Sequence, residues 1–297
     1  MKNAPVRHRL EHLFYLVARG ILLTLPHGGA RAAGSLLGRL AHRLDRRHRE
    51  VARRNLALAL PELTETERHR LVAACFRHFG SALCDTISAD RFSPAELCRR
   101  FSYEGWEYLD EAERRGKGVF LLGAHLGNWE LSGRPIGLYK GTLHTIARPA
   151  DNPHLEDQLR RMRERQSYEV IHKQGAARRM LQVLRHGGRI GILVDQRVQP
   201  REGITLPFFG HPALTTPIVA RLSLRAGAPV VPVFAYPLPE GRYRWVASPP
   251  IVPPETFEDE EEAVRSLTLQ YLEVTEREIR AHPEMWLWMH RRWGESR

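Results

Sequence analysis

The chain has 297 residues but no apolar run of the ~18 residues that a membrane-spanning helix requires. It carries only three cysteines, Cys75, Cys84 and Cys98, odd in number and far from CxxC spacing. That excludes a disulfide scaffold or a zinc finger and fits a reducing compartment. Gly-x-Ser-x-Gly is absent, and the cysteines fall in the helical first third, so no serine or cysteine nucleophile is evident. There is no internal repeat and no low-complexity segment. Lysine is scarce, because nearly all of the 45 Lys+Arg are arginine; set against 34 Asp+Glu they give a net charge of +11. A chain this basic seeks an anionic partner: nucleic acid, anionic lipid or a phosphorylated substrate. Apolar residues make up 42%, enough to bury a core and to exclude disorder as the dominant state.

The N-terminus holds an apolar stretch from Leu13 to Leu25, interrupted by Arg19 and ended by Pro26. It has the length of a signal-peptide core, without a clean small-residue cleavage site after it. Thirteen residues at ~1.5 Å per residue give about 20 Å of helix, short of the ~30 Å hydrocarbon core. The stretch continues through Leu36, Leu37, Leu40 and Leu44, with Arg39, Arg43, Arg46, Arg47 and Arg49 interleaved. A simple span would need His12 and Arg19 to snorkel and neighbouring residues to extend it, so the pattern better suits a helix half-inserted or lying in a membrane interface; the alternative is a helix packed on the domain. Residues 1–50 are therefore expected to be membrane-associating helices, followed by one catalytic domain over 51–297.

Thr64-x-x-Glu67 is a capping box that opens a helix running to about Ile87. From Gly118 onward short apolar runs alternate with helical segments. Val119–Ala124, His144–Ala147, Tyr168–His172, Ile190–Asp195 and Val230–Ala235 read as strands. Trp129–Ile136, Pro153–Gln166, Ala176–His186 and Leu214–Ala226 read as helices, and an acidic helix follows over Glu258–Ala281. This alternation predicts an α/β fold with a mostly parallel central sheet flanked by helices.

The most informative segment runs from Gly118 through His125 to Glu130. An apolar strand ends at a histidine, a Gly127-Asn128 turn follows, and Glu130 opens a helix. In open α/β sheets ligands bind beyond the carboxyl ends of strands. Five residues apart, His125 and Glu130 would lie about 140° apart on one helix, but the turn can fold the carboxylate back onto the ring. A carboxylate on one ring nitrogen leaves the other as a base. The alternative is a capping histidine with a helix-start glutamate. Without a protein nucleophile, His125 would act directly on a substrate hydroxyl. Backbone amides around Gly127-Asn128 are placed to hold an oxyanion.

Three more clusters fall at expected strand ends. Arg148 precedes Asp151-Asn152-Pro153 and a helix bearing Arg160, Arg161, Arg163 and Arg165, a suitable place for a phosphate. Asp195-Gln196-Arg197 follows a wholly apolar strand, where Asp195 can hold Arg148 or Arg197 or simply make a turn. Phe208-Phe209 either line an acyl cleft or pack in the core, and Thr215-Thr216 cap a helix. The C-terminal run Trp286-Leu-Trp288-Met-His290-Arg291-Arg292-Trp293 suits an interface between acyl chains and phosphate, stacking on nucleic acid, or a buried final strand.

Taken together and in order, these blocks resemble the lipid A late acyltransferase family, the lauroyl and myristoyl transferases of lipopolysaccharide synthesis, within the lysophospholipid acyltransferase superfamily. The resemblance spans nearly the whole chain. It rests on the N-terminal apolar helix, Arg53-Arg54-Asn55-Leu56 before Pro61-Glu62, His125-x-x-x-x-Glu130, Arg148-Pro149-x-Asp151-Asn152-Pro153, Asp195-Gln196 and Trp288-Met-His290-Arg291-Arg292. It departs at Arg197, where an acidic residue follows Asp-Gln in relatives.

The resemblance implies that His125 is the general base and Glu130 its orienting partner. The donor would be an acyl chain on acyl carrier protein, and the acceptor the 3-hydroxyl of an acyl chain on a phosphorylated glucosamine disaccharide. The reaction would take place at the cytoplasmic face of the inner membrane, on anionic lipid. A thioester donor is already activated, so neither metal nor cofactor is required. Substrate contacts are expected from Arg148, Asp195, Gln196, Arg197, Asn128, Phe208, Phe209, Thr215 and Arg291. The same motifs also fit transfer to a lysophospholipid or a glycosylated phosphoinositide. Nucleic acid is not an expected partner.

Overall fold

The computed structural model describes residues 4–147, 150–164, 167–172 and 175–294. Four helices come first: α1 (Ala4–Thr24), α2 (His27–Leu44), α3 (Arg46–Ala59) and α4 (Glu65–Ser88). The expected capping box opens α4. Thr64 Oγ1 accepts from the Glu67 amide at 3.3 Å, and the Glu67 carboxylate accepts from the Thr64 amide at 2.7 Å. After α5 (Pro94–Cys98), strands and helices alternate: β1 (Phe101–Glu104), α6 (Trp106–Arg114), β2 (Val119–Gly123), α7 (Trp129–Ser132), α8 (Arg134–Tyr139), β3 (Leu143–Ala147), α9 (Pro153–Glu164), β4 (Tyr168–His172), α10 (Ala176–Arg185) and β5 (Arg189–Leu193). A hairpin, β6 (Ile204–Phe208) and β7 (His211–Thr215), precedes α11 (Ile218–Ala226), β8 (Val230–Pro237), β9 (Tyr243–Ala247) and α12 (Glu260–Ala281).

Seven strands form one sheet in the order β1-β9-β8-β2-β5-β3-β4. All of its pairings are parallel except β8 with β9. Val119, Phe120, Leu121 and Leu122 of the central β2 are all buried. Val119 and Leu121 pack toward α6 and α8, while Phe120 and Leu122 pack toward α10, α11 and α12. A strand covered on both faces loses the polar alternation of a half-exposed one, which explains its continuous apolar run.

The structure corrects three sequence-based elements. The helix expected over Leu214–Ala226 begins only at Ile218, because residues up to Thr215 belong to β7. The register pairs Phe208 with His211, leaving Phe209-Gly210 as a two-residue loop with φ of 52° and 74°. A hairpin turn with two positive φ angles ordinarily announces itself as Asn-Gly; a phenylalanine in the first position hid it. The helix expected over Trp129–Ile136 is two short helices, divided at Gly133-Arg134-Pro135. The C-terminal run is no strand. It leaves α12 through a 3₁₀ turn at Pro283–Met285 and continues as turns.

Among the described residues no helix is long and apolar enough to cross a membrane. The α1 helix bears an exposed stripe of Val6, Leu10, Leu13, Phe14, Val17 and Ile21. Arg19 does not snorkel: it faces the body and pairs with Asp90 at 3.5 Å. His12 stacks on His154, with ring centroids 5.3 Å apart. The α2 helix packs on α4 through Gly34, Gly38 and Gly80, where any Cβ would collide with the facing backbone. Its outer face carries exposed Leu36, Leu37, Leu40 and Leu44.

Candidate active site

Strand β2 sits between β8 and β5, so the sheet brings the segments after β2 and β5 together. Gly123 pairs with Leu193, and two residues further on in each strand stand His125 and Asp195. Both lie beyond the carboxyl ends of parallel strands, where an open α/β sheet places its ligands.

Asp195 is 1% exposed and acts as a pure acceptor. Its Oδ2 accepts from the His125 backbone amide at 2.8 Å and from Trp286 Nε1 at 2.8 Å. Its Oδ1 lies 2.9 Å from His125 Nδ1. An ionised carboxylate there fixes the tautomer: Nδ1 carries the proton and donates it, and the Nε2 lone pair is left facing the cleft. The Gln196 side-chain Nε2 is 3.3 Å from that lone pair. Burial on its own would raise the Asp195 pKa, but the charge and hydrogen bonds of His125, with Trp286, bring it below the usual carboxylate value. Burial likewise works to lower the His125 pKa; Asp195, then the Glu130 charge, outweigh it, and the net shift is upward.

Glu130 was the orienting partner that the Gly127-Asn128 turn allowed and the resemblance implied, yet the bond to Nδ1 comes from Asp195. Glu130 lines the same cleft as His125 and acts on the ring through its charge. Of the two partners considered for Asp195 in sequence, Arg197 lies instead against Gly294. Arg148 lies outside the described residues.

Below His125 a cleft of about 780 Å3 opens along the sheet, a volume typical of small-molecule sites. Leu121, Leu143, Thr145, Gly191, Leu193 and Val233 form its floor, and Ile136, Tyr168 and Met180 line it from the flanking elements. The lining is mainly apolar; besides Thr145 and Tyr168, its polar side chains are His125, Glu130, Ser132, Gln196, Glu202 and Thr216. None of the aliphatic positions stood out in sequence, because each reads as ordinary core.

Several expected substrate contacts serve the framework instead. Phe208 and Phe209 are 0% and 5% exposed and pack among Trp286, Trp288 and Trp293, away from the cleft. Trp286 and Trp288 are themselves buried, so this part of the C-terminal run is core rather than an acyl or nucleic-acid interface. Thr215 is a buried β7 residue, not a helix cap, and its hydroxyl accepts from the buried Arg292 at 2.6 Å. Desolvation pulls the Arg292 pKa down to about 10, countered in part by the Asp195 charge. Asn128 is also buried; its side chain donates to Asp85 and accepts from Thr86, each at 3.1 Å. The Gly127 and Asn128 amides donate to the carbonyls of Met285 and Ala235, so neither is available to an oxyanion. Arg197 is exposed and lies against Gly294, while Arg291 is half-buried beside His290; neither lines the cleft.

Residues not singled out individually in the sequence hold the site. Trp286 clamps Asp195 and bridges to Leu126, and Leu287 donates to the His125 carbonyl at 3.1 Å. Asn55, on α3, donates from its side-chain amide to the carbonyls of Trp288 and His290, both at 2.7 Å. The sequence signal was, for Asn55, its place in the Arg53-Arg54-Asn55-Leu56 block and, for Trp286, its place in the C-terminal aromatic run; each gave position without purpose.

Known proteins similar to this chain include lipid A and phosphatidylinositol mannoside acyltransferases. The lipid A biosynthesis lauroyltransferase of Escherichia coli (strain K12) is 28% identical over 274 residues, 92% of this chain and 87% of the relative. The palmitoleoyltransferase of the same organism is 29% identical over 279 residues, 92% of this chain and 89% of the relative. A phosphatidylinositol mannoside acyltransferase of Mycobacterium tuberculosis (strain ATCC 25618 / H37Rv) matches less fully, at 26% over 192 residues, or 63% of this chain and 61% of the relative. The family of bacterial lipid A biosynthesis acyltransferases matches residues 3–295, and the chain belongs to it: this is an acyltransferase.

Proposed function

We propose that the chain transfers a fatty acyl group from acyl carrier protein to a hydroxyl of a phosphorylated lipid A precursor, with His125 as general base. The observation that carries this reading is the Asp195-fixed imidazole, its Nε2 turned to the head of an apolar cleft. The acyl chain lies in the cleft with its thioester carbonyl near His125. The acceptor hydroxyl displaces Gln196 from Nε2 and gives up its proton as its oxygen bonds to the carbonyl carbon. The tetrahedral intermediate then collapses, the C–S bond breaks, and His125 returns the proton to the departing sulfur. The imidazolium formed between these steps is stabilised by Asp195 and Glu130. Gln196 is a donor at hand for the oxyanion.

The acceptor is a membrane lipid, and the exposed stripes of α1 and α2 fit a peripheral attachment to the cytoplasmic face of the inner membrane. The basic surface serves anionic lipid and the acidic carrier protein. The test uses purified full-length protein and acyl carrier proteins loaded with several chain lengths. Acceptors are a tetra-acylated lipid A precursor, a lysophospholipid and a phosphatidylinositol mannoside, with products read by mass spectrometry. Acylation of the lipid A precursor is expected. Preference for either other acceptor overturns the assignment of acceptor, and transfer from none of the carrier proteins overturns that of donor.

A further inference from the structure

A second cavity, of about 500 Å3, lies where α2, α3 and α4 meet, lined by His42, Arg46, Arg49, Glu50, Arg53, His69 and Val72. Its guanidinium groups are largely pre-set. Glu50 holds Arg53 at 3.0 Å, with Glu65 at 3.3 Å. Arg49 turns back onto the last turn of α2, donating to the carbonyls of His42 and Arg43. The one carboxylate among its lining residues, Glu50, is engaged by Arg53 and Arg54, and the neighbouring Glu65 by Arg53, Arg68 and His69. Neither Arg46 nor Arg49 has a carboxylate partner among the described contacts. The local field is positive: burial, then the charges of Arg49, Arg77, His69 and Arg43, hold the His42 pKa below its usual value.

The cavity also has a particular place on α2. At about 100° per residue, Leu36, Leu37, Leu40 and Leu44 share one arc, Arg39 and Arg43 flank it, and His42 follows on the cavity side. The leucines are exposed, so the helix passes from an apolar face through a cationic margin into the cavity. That is the order of a bilayer interface, hydrocarbon first and then phosphate.

We propose that the α2–α3–α4 cavity binds the phosphate of an anionic phospholipid headgroup, with Arg46 and Arg49 as its donors, while the α2 leucines enter the acyl layer. Planar guanidiniums suit a phosphate, which takes paired N–H donors. This inference rests on the membrane attachment proposed above and adds a specific site to it. Such a site lies apart from the His125 cleft and fixes how the enzyme sits on the bilayer, not what it acylates.

The test compares Arg46→Glu with Arg47→Glu in the full chain. Both reverse one charge on adjacent residues of α3, but only Arg46 lines the cavity. Flotation is measured on phosphatidylcholine vesicles with and without phosphatidylglycerol, at physiological salt. Wild type is expected to float with the phosphatidylglycerol vesicles; Arg46→Glu should lose about tenfold or more in partitioning and Arg47→Glu less than about threefold. Equal losses in the two variants mean diffuse attraction and overturn the site while leaving attachment intact. Wild type that floats with neither vesicle overturns the attachment and this site together. A thermal shift with soluble glycerol phosphate, abolished by Arg46→Glu while flotation is unchanged, assigns the cavity to a soluble phosphoester. Loss of acyl carrier protein binding with flotation unchanged assigns the patch to the carrier protein, and either result overturns the lipid assignment. Should Arg46→Glu fail to fold, Arg46→Gln against Arg47→Gln makes the same comparison.

Discussion

Asp195 holds His125 by two bonds, one to the backbone amide at 2.8 Å and one to the ring at 2.9 Å, so the carboxylate sets both the place and the tautomer of the base. Asp195→Asn keeps the shape and removes the charge. The rate should fall by ~10²–10⁴-fold. The base works only when neutral, and its pKa lies above the ordinary 6.5. Activity therefore declines as pH drops through that raised value. Without the carboxylate, burial dominates and this acid limb moves to lower pH. A kcat/KM profile of the variant with its acid limb unmoved would show that Asp195 does not set the basicity of His125.

Gly127→Ala should break the turn that carries the base. Gly127 has a φ of 65°, and a Cβ there would run into the Ala235 carbonyl. The backbone penalty is about 1–2 kcal/mol before the collision is counted. Urea unfolding is expected to show destabilisation beyond that, with activity lost in the protein that remains folded. Wild-type stability and rate in this variant would mean that the turn relaxes freely.

Asn55→Ala tests how the C-terminal run is held. The buried amide satisfies two carbonyls, and leaving them unpaired costs about 1–3 kcal/mol. Since the same run pairs with Leu126 and His125, kcat is expected to drop along with stability. A variant as stable as wild type would mean that water replaces the amide.

Gly191 lies mid-sheet on the cleft floor, opposite Leu121 and Thr145. A Cβ there would meet Leu143 and Thr145 at 3.6 Å, an ordinary contact, so larger side chains extend into the cleft. Gly191→Leu should shift acyl preference toward shorter chains, by about tenfold in the ratio of kcat/KM for a short and a long donor. An unchanged ratio in a competition assay would place the acyl chain elsewhere.

Much of the frame was legible in the sequence. The strands at 119, 144, 168, 190 and 230 are apolar runs between clear helix signals, and the Thr64 box marks its helix start. What the sequence did not show was strand order. Nothing in the residues says that β5 inserts between β2 and β3, and that adjacency alone sets Asp195 against His125. The Gly127-Asn128 turn and the motif resemblance pointed to nearby Glu130, whereas the carboxylate that bonds the ring is 70 residues away. The aromatics misled for a similar reason: Phe208, Trp286 and Trp288 are large and near arginines, but only packing tells a lipid-facing ring from a core one. The acyl cleft was invisible because aliphatic residues lining a cavity have the same pattern as those filling a core.

The most direct test of the account is the rate of acyl transfer to a lipid A precursor by wild type and by His125→Ala, measured side by side on proteins of matched folding. His125 is the base in this account, and its Nε2 is the ring nitrogen facing the cleft. The variant should lose ~10²–10⁴-fold in rate. Transfer by His125→Ala within a few-fold of wild type would contradict the account.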